Sequence, residues 1–133
     1  GLSENISVRS IVGDFLEHSR IFYFENDGAP EFYMGSADWM PRNLDRRVEI
    51  LFPILDEELR KKAMHILEVQ LHDNLKAHVL GADGIYQKID RRGKPSVGAQ
   101  DTFCQEAVKT VKDIREGLDP VNTRVFIPVE SQV

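Results

Sequence analysis

The sequence predicts an α/β domain in which a mixed β-sheet is flanked by helices. Three observations predict it. Two short β-prone runs, Ile21-Phe22-Tyr23-Phe24 and Phe32-Tyr33-Met34, flank the turn-forming segment Asn26-Asp27-Gly28-Ala29-Pro30. After Asp56, apolar residues recur at helical spacing: Leu59, Ala63, Ile66, Leu67 and Leu71. A second such stretch runs from Gln100 to Arg115, with Phe103, Ala107, Val111 and Ile114 on one face. Helix, three strands and helix, in that order, place helices beside a sheet.

The elements follow in chain order. Gly1 to Ser7 is polar and reads as a loop. Ser10 is a suitable N-cap for a short helix carrying Ile11, Val12, Phe15 and Leu16 and ending near Glu17. His18 then falls at a helix-to-strand junction. The two β-prone runs form a hairpin, and pairing of their ends brings His18 near Ser36 and Asp38. Trp39 to Arg47 is polar and broken by Pro41, and reads as a loop. Val48 to Leu55 is a third strand with Pro53 near its end. Asp56 caps the long helix, and Asn74 ends it. Leu75, Ala77 and Val79 alternate as a strand does, closed by Ala82-Asp83-Gly84. Lys88, Arg91, Arg92 and Lys94 make a basic loop around Gly93. The last helix is stopped by Gly117 and Pro120.

Composition limits what the chain can be. Its 133 residues, 41% hydrophobic and 29% charged, suffice for one domain with a core and do not fit a disordered chain. A net charge of -5 repels nucleic acid and other polyanions, so any polyanion site must be a local basic pocket. The single Cys104 cannot form an internal disulfide and suits a reducing compartment; it is expected in the core, on the apolar side of the last helix. No apolar run approaches the ~18 residues of a membrane span. The start at Gly1, without Met, reads as a cut through a larger protein.

One stretch concentrates chemistry. Between Glu17 and Glu49 lie a histidine, several arginines, small hydroxyl residues and carboxylates, set between apolar runs. Arginine forks match phosphate oxygens in shape and charge. A histidine can carry or shuttle a proton near neutral pH. The combination is that of phosphoryl handling.

Three spaced motifs in this stretch carry a family resemblance. Glu17-His18-Ser19-Arg20, Gly35-Ser36-Ala37-Asp38-Trp39-Met40 and Arg42-Asn43-Leu44-Asp45-Arg46-Arg47 resemble the C-terminal part of the histidine-phosphorylated type of polyphosphate kinase. The likeness runs ungapped from about Gly1 to about Ile54 and weakens beyond. It implies a phospholipase D-like half-domain over residues 1–120, followed by a tail over 121–133. A more distant likeness is to the phospholipase D half-site, His-x-Lys-x4-Asp followed by Gly-Ser-x-Asn. Arg20 stands here for its Lys, Glu25 for its Asp and Asp38 for its Asn, departures that fit the kinase branch better than phosphodiester hydrolysis.

The resemblance implies roles. In such enzymes one histidine is phosphorylated and a second faces it as acid or base. His18 matches the second, and nothing in this chain matches the first, which lies upstream. Arg47 and Arg20 are expected to hold phosphate. Glu49, a carboxylate inside an apolar run, is costly unless paired. It either forms an ion pair with an arginine or orients His18 and stabilises its imidazolium, as a triad carboxylate does. Ser36, Asp38 and Asn43 are expected to fix the loop and the histidine by hydrogen bonds. Arg42 and Arg46 read as solvated, Trp39 as a packing anchor, and His65, His72 and His78 as surface residues with no zinc site among them.

The implied parent enzyme transfers the terminal phosphate of ATP reversibly to inorganic polyphosphate through a phosphohistidine. Mg²⁺ accompanies the nucleotide, the N-terminal domains of the same enzyme supply the rest of the site, and no nucleic acid takes part. The parent is expected to be a homo-oligomer, cytoplasmic or peripherally attached to a membrane. Two other readings use the same residues: a phospholipase D-like phosphodiesterase half-site, and a noncatalytic module that binds phosphate or docks to a partner domain.

Overall fold

The computed structural model describes residues 4–117. The described residues fall into two compact units divided between Thr102 and Phe103. The first holds strands β1 (Arg9–Ile11), β2 (Ile21–Phe24), β3 (Glu31–Gly35), β4 (Leu51–Pro53), β5 (Ala77–Leu80) and β6 (Tyr86–Lys88), with helices α1 (Pro41–Arg46) and α2 (Glu57–His72). Helix α3 (Ala99–Arg115) begins in the first unit and continues into the second. The α/β class is as expected, but the strands form two three-stranded sheets, ordered β1-β5-β6 and β2-β3-β4. Every pairing is antiparallel, and tight connections join β2 to β3 and β5 to β6.

The β2-β3 hairpin is the one the turn residues predict. Ile21 pairs with Met34 and Phe24 with Glu31. The turn over Asn26–Gly28 needs three residues at positive φ: Asn26 at 47°, Asp27 at 53° and Gly28 at 83°. Asparagine, aspartate and glycine tolerate that region best. One face of the sheet carries Phe32 and, beside it, Ile21, Tyr23 and Met34; with Ile54 and with Ala63, Met64 and Leu67 of α2 they make the core. The opposite face carries Phe22, Tyr33 and Leu51, by the alternation of the strand.

Helix α2 starts where expected. The Asp56 side chain accepts a hydrogen bond from the Leu59 N–H at 3.0 Å, satisfying a first-turn donor. The expected stripe is only partly covered: Ala63 is buried, whereas Leu59 and Leu71 are exposed.

Five local expectations need correction. No helix follows Ser10. Arg9–Ile11 is strand β1, paired with β5 from Arg9↔Val79 to Ile11↔Ala77. Gly13 and the β-branched Ile11 and Val12 make a poor helix, and β5 supplies the backbone partners instead. The loop expected over Trp39 to Arg47 contains helix α1, because Pro41 sits at its first position, where a missing N–H is no loss. The third strand is confined to Leu51–Pro53, at the edge of its sheet, where proline is tolerated. Cys104 is exposed rather than in the core. The basic stretch begins inside β6, at Lys88, and Arg92 is folded back on Asp90 through Nε and Nη2. The tail over 121–133 lies outside the described residues.

Candidate active site

Strand pairing assembles the site. The Gly35 N–H donates to the Arg20 carbonyl at 3.1 Å and the Ser36 N–H to the Ile50 carbonyl at 3.0 Å. These bonds tie the start of β2, the end of β3 and the approach to β4 together. Residues far apart in sequence, His18, Asp38 and Glu49, therefore share one end of the sheet.

From His18 a continuous chain of polar contacts crosses that end. His18 Nε2 lies 3.2 Å from Arg20 Nη2. A guanidinium can only donate, so the imidazole nitrogen is the acceptor in this contact. Arg20 also donates from Nη1 to the His18 carbonyl at 3.3 Å, and from Nε and Nη2 to Asp38 Oδ1 at 2.9 and 2.7 Å. The Asp38 carbonyl accepts from Asn43 Nδ2 at 3.2 Å, and Asn43 Oδ1 accepts from Arg47 Nη1 at 3.4 Å. Arg47 Nε lies 3.6 Å from Glu49 Oε1. Glu49 accepts from the Ser36 hydroxyl, whose oxygen accepts the Ile50 N–H at 3.0 Å.

The arginines differ in what they offer. The Arg20 side chain is 17% exposed and engaged on both sides, whereas that of Arg47 is 61% exposed. Arg47 thus presents a guanidinium edge to solvent while Glu49 and Asn43 aim it. Asn43 is buried, so its amide works as a fixed strut with both ends bonded. The Arg20 hydrogen bonds hold the Asp38 carboxyl below its ordinary pKa against the opposing effect of desolvation, with smaller help from neighbouring positive charge, that of Arg20 first. The carboxyl of Glu17, next to His18, is likewise lowered, first by the Ser19 hydroxyl and then by the Ser19 backbone N–H.

Two concavities flank this chain. The larger, of about 1130 Å³, lies over the aromatic face of the β2-β3-β4 sheet, and Glu49 and Gly35 are on its wall. The smaller, of about 410 Å³, is lined by Ser19, Arg20 and Asp38. Phe22, Ala37 and Trp39 border both. Trp39 is not a buried anchor: it is 78% exposed and stacks on Phe22 at a centroid distance of 5.8 Å and an angle of 20°.

Each residue singled out from the sequence is thus placed. His18, Arg20, Ser36, Asp38, Asn43, Arg47 and Glu49 all belong to one chain of contacts. Glu49 stands with Ser36 and Arg47, and Arg20 is the side chain at the His18 ring. Among the described residues, no three histidine, cysteine, aspartate or glutamate side chains gather as a metal site. No helix among them is long and apolar enough to cross a membrane. Two residues went unremarked in the sequence, Asp73 and Gln100. Asp73 is 1% exposed, and its carboxylate accepts backbone N–H groups from Leu75, Lys76, Ala77 and Ala99. Its signal was available: an aspartate one residue past a helix is poised to bond nearby backbone.

Comparison with known proteins shows the family. Residues 1–100 match the family model described as polyphosphate kinase C-terminal domain 2. A polyphosphate kinase of Lactiplantibacillus plantarum is 46% identical over 132 residues, which is 98% of this chain and 18% of the relative. Polyphosphate kinase 1 of Chlorobaculum tepidum is 51% identical over 112 residues, 84% of this chain and 16% of that protein. The crystal structure of polyphosphate kinase from Porphyromonas gingivalis superposes with a TM-score of 0.74 at 38% identity, covering 82% of this chain and 17% of the other. The chain therefore spans less than a fifth of the length of the proteins it matches. A strand framework that superposes on a solved polyphosphate kinase, and a family match running through every residue of the His18-to-Glu49 chain, lead to one conclusion: this chain belongs to the polyphosphate kinase family, as C-terminal domain 2.

Proposed function

We propose that this chain is the part of a polyphosphate kinase that supplies the acid/base histidine and the phosphate-holding arginines. The reaction is the reversible transfer of the terminal phosphate of ATP to inorganic polyphosphate. The observation that supports it is the unbroken line of contacts from His18 through Arg20, Asp38, Asn43 and Arg47 to Glu49. It sets a proton carrier and two guanidinium groups on one end of one sheet.

A histidine elsewhere in the enzyme attacks the γ-phosphorus of ATP. A nitrogen–phosphorus bond forms, the bond to the β–γ bridging oxygen breaks, and ADP leaves. A terminal oxygen of polyphosphate then attacks the same phosphorus, the nitrogen–phosphorus bond breaks, and the polymer is one unit longer. Splitting the transfer in two lowers each barrier. His18 gives and recovers the proton that the departing and attacking oxygens exchange. Arg47, open to solvent, and Arg20, fixed beside His18, neutralise phosphate oxygens as charge redistributes. Glu49 aims Arg47 and offsets the charge of an imidazolium. Mg²⁺ arrives with ATP, as part of the substrate.

The nucleophilic histidine belongs to the rest of the enzyme, so the chain alone is expected to make no polyphosphate. The parent is read as a homo-oligomer, either cytoplasmic or peripherally attached to a membrane, to be checked by light scattering and fractionation. The decisive comparison is between the full-length enzyme and its His18→Ala variant, using [γ-³²P]ATP. Continued labelling of the protein with collapse of polymer synthesis is the expected result. Polymer synthesis near the wild-type rate would remove His18 from the mechanism.

A further inference from the structure

We propose that Gln100, together with Gly13, is a positioning residue for His18. The inference rests on the reading of His18 as the acid/base group and adds a residue outside the three motifs.

Residues 12–20 have no helix or strand of their own. Phe15 and Leu16, just before Glu17 and His18, are exposed. Apolar packing therefore does not hold this loop, and hydrogen bonds must. Gln100 supplies three. Its Oε1 accepts the Asp14 N–H at 2.8 Å and the Phe15 N–H at 3.1 Å, and its Nε2 donates to the Phe15 carbonyl at 2.6 Å. Both ends of one amide are spent on two consecutive residues, which fixes the position and the direction of the chain entering Glu17-His18.

Gly13 makes room for that amide. A Cβ at Gly13 would stand 2.4 Å from Gln100 Oε1, 2.5 Å from its Cδ and 2.6 Å from its Nε2. The glutamine head occupies the volume that a side chain at 13 would fill. The opposite side of the loop is held as well: the Val12 N–H donates to the Lys76 carbonyl at 3.1 Å, and the Lys76 ammonium pairs with Asp14.

The base of Gln100 is rigid. Its neighbour Ala99 is buried and donates its N–H to the buried Asp73 carboxylate at 2.7 Å. A fixed hub thus holds the first turn of α3, that turn holds Gln100, and Gln100 holds the loop. Beyond the loop, Arg20 binds the His18 carbonyl. His18 is then suspended between two anchors: Phe15, three residues before it and held by Gln100, and Arg20, two residues after. Displacing a reacting group by about 1 Å can lower a rate by roughly a hundredfold.

The test uses the full-length enzyme and the variants Gln100→Ala, Gln100→Glu, Gly13→Ala and His18→Ala. Gln100→Ala is expected to lower kcat for polyphosphate synthesis about tenfold to a hundredfold, with KM for ATP within about twofold. It should also move the pH dependence of kcat, a shift that loss of folded protein would not produce. Gln100→Glu keeps two acceptor bonds and loses the donor, so its kcat should lie between those of Ala and wild type. Gly13→Ala should act like Gln100→Ala by expelling the amide. Adding Gln100→Ala to His18→Ala should cost nothing further, because both act through one group. If Gln100→Ala fails to fold, Gln100→Glu and Gly13→Ala carry the test. Wild-type kcat and pH profile in these variants, with His18→Ala inactive, would overturn the role of Gln100 and leave that of His18. An active His18→Ala enzyme would remove the reading of His18 and this inference with it.

Discussion

Asp73 and Asp38 each gather hydrogen-bond donors, in opposite ways. Asp73 is 1% exposed and takes four backbone N–H groups, at 2.7 to 3.0 Å. Asp38 lies at the surface and takes one side chain, the Arg20 fork, on a single oxygen. Backbone donors cannot turn away without unfolding the local chain, so Asp73 locks the end of α2, the start of β5 and the first turn of α3. A side-chain donor can swing to another anion, so the Asp38–Arg20 pair can hold His18 and, on the proposed function, still yield to phosphate. The same functional group makes architecture in one place and an adjustable site in the other, and the donor type decides which.

The largest expected effect tests the architectural half. Asp73→Ala strands several buried N–H groups and should lower stability by about 4 kcal/mol, read from urea unfolding. Asp73→Asn keeps an acceptor for the three N–H groups on one oxygen and loses the bond to Ala99, so it should lose about half as much. Equal losses in the two variants would mean that charge, not bond number, holds the hub.

Asp38→Ala tests the other half. Polymer synthesis should fall roughly a hundredfold, as the Arg20–His18 arrangement loosens, while the unfolding midpoint falls less than for Asp73→Ala, because one side-chain donor, that of Arg20, loses its partner rather than several buried backbone groups. A large drop in the midpoint with normal turnover would reverse the comparison. Arg47→Lys keeps the charge but loses the fork that reaches both Asn43 and Glu49. It should lower kcat/KM about tenfold, measured in steady-state synthesis.

The smallest effect is in pH dependence. The folded pKa of Asp38 is depressed, first by the Arg20 hydrogen bonds. Its contribution is therefore fully present above the unfolded value of about 3.9 and is lost as pH falls through the lower folded value. Unfolding curves of wild type and Asp38→Asn should begin to converge as pH falls below about 4 and coincide once it is below the depressed folded value. Continued separation well below that point would place the carboxylate in a different partnership.

Much of the site was legible because its residue types are rare in combination. A histidine, forked cations and small hydroxyls between apolar runs already point to phosphate, and the hairpin turn Asn26-Asp27-Gly28 already places His18 at the end of the sheet that carries Ser36 and Asp38. Who binds whom was not legible. Nothing in the order of residues says that Asn43 rather than Ser36 receives Arg47, or that Glu49 stands with Ser36 while Arg20 takes the His18 ring. The helix expected after Ser10 failed for a related reason: its apolar spacing was real, but β5 offered backbone partners from more than sixty residues away.

The sequence alone determined the α/β class, the hairpin, the Asp56-capped helix and the set of side chains available for phosphate chemistry, because turn residues, caps and periodicity act over a few residues. Only the tertiary structure decided the division into two antiparallel sheets, the order of contacts from His18 to Glu49 and the reach of Gln100 into the loop at Gly13. Those depend on which distant backbone groups find one another, and such pairings are settled by the geometry of the whole unit.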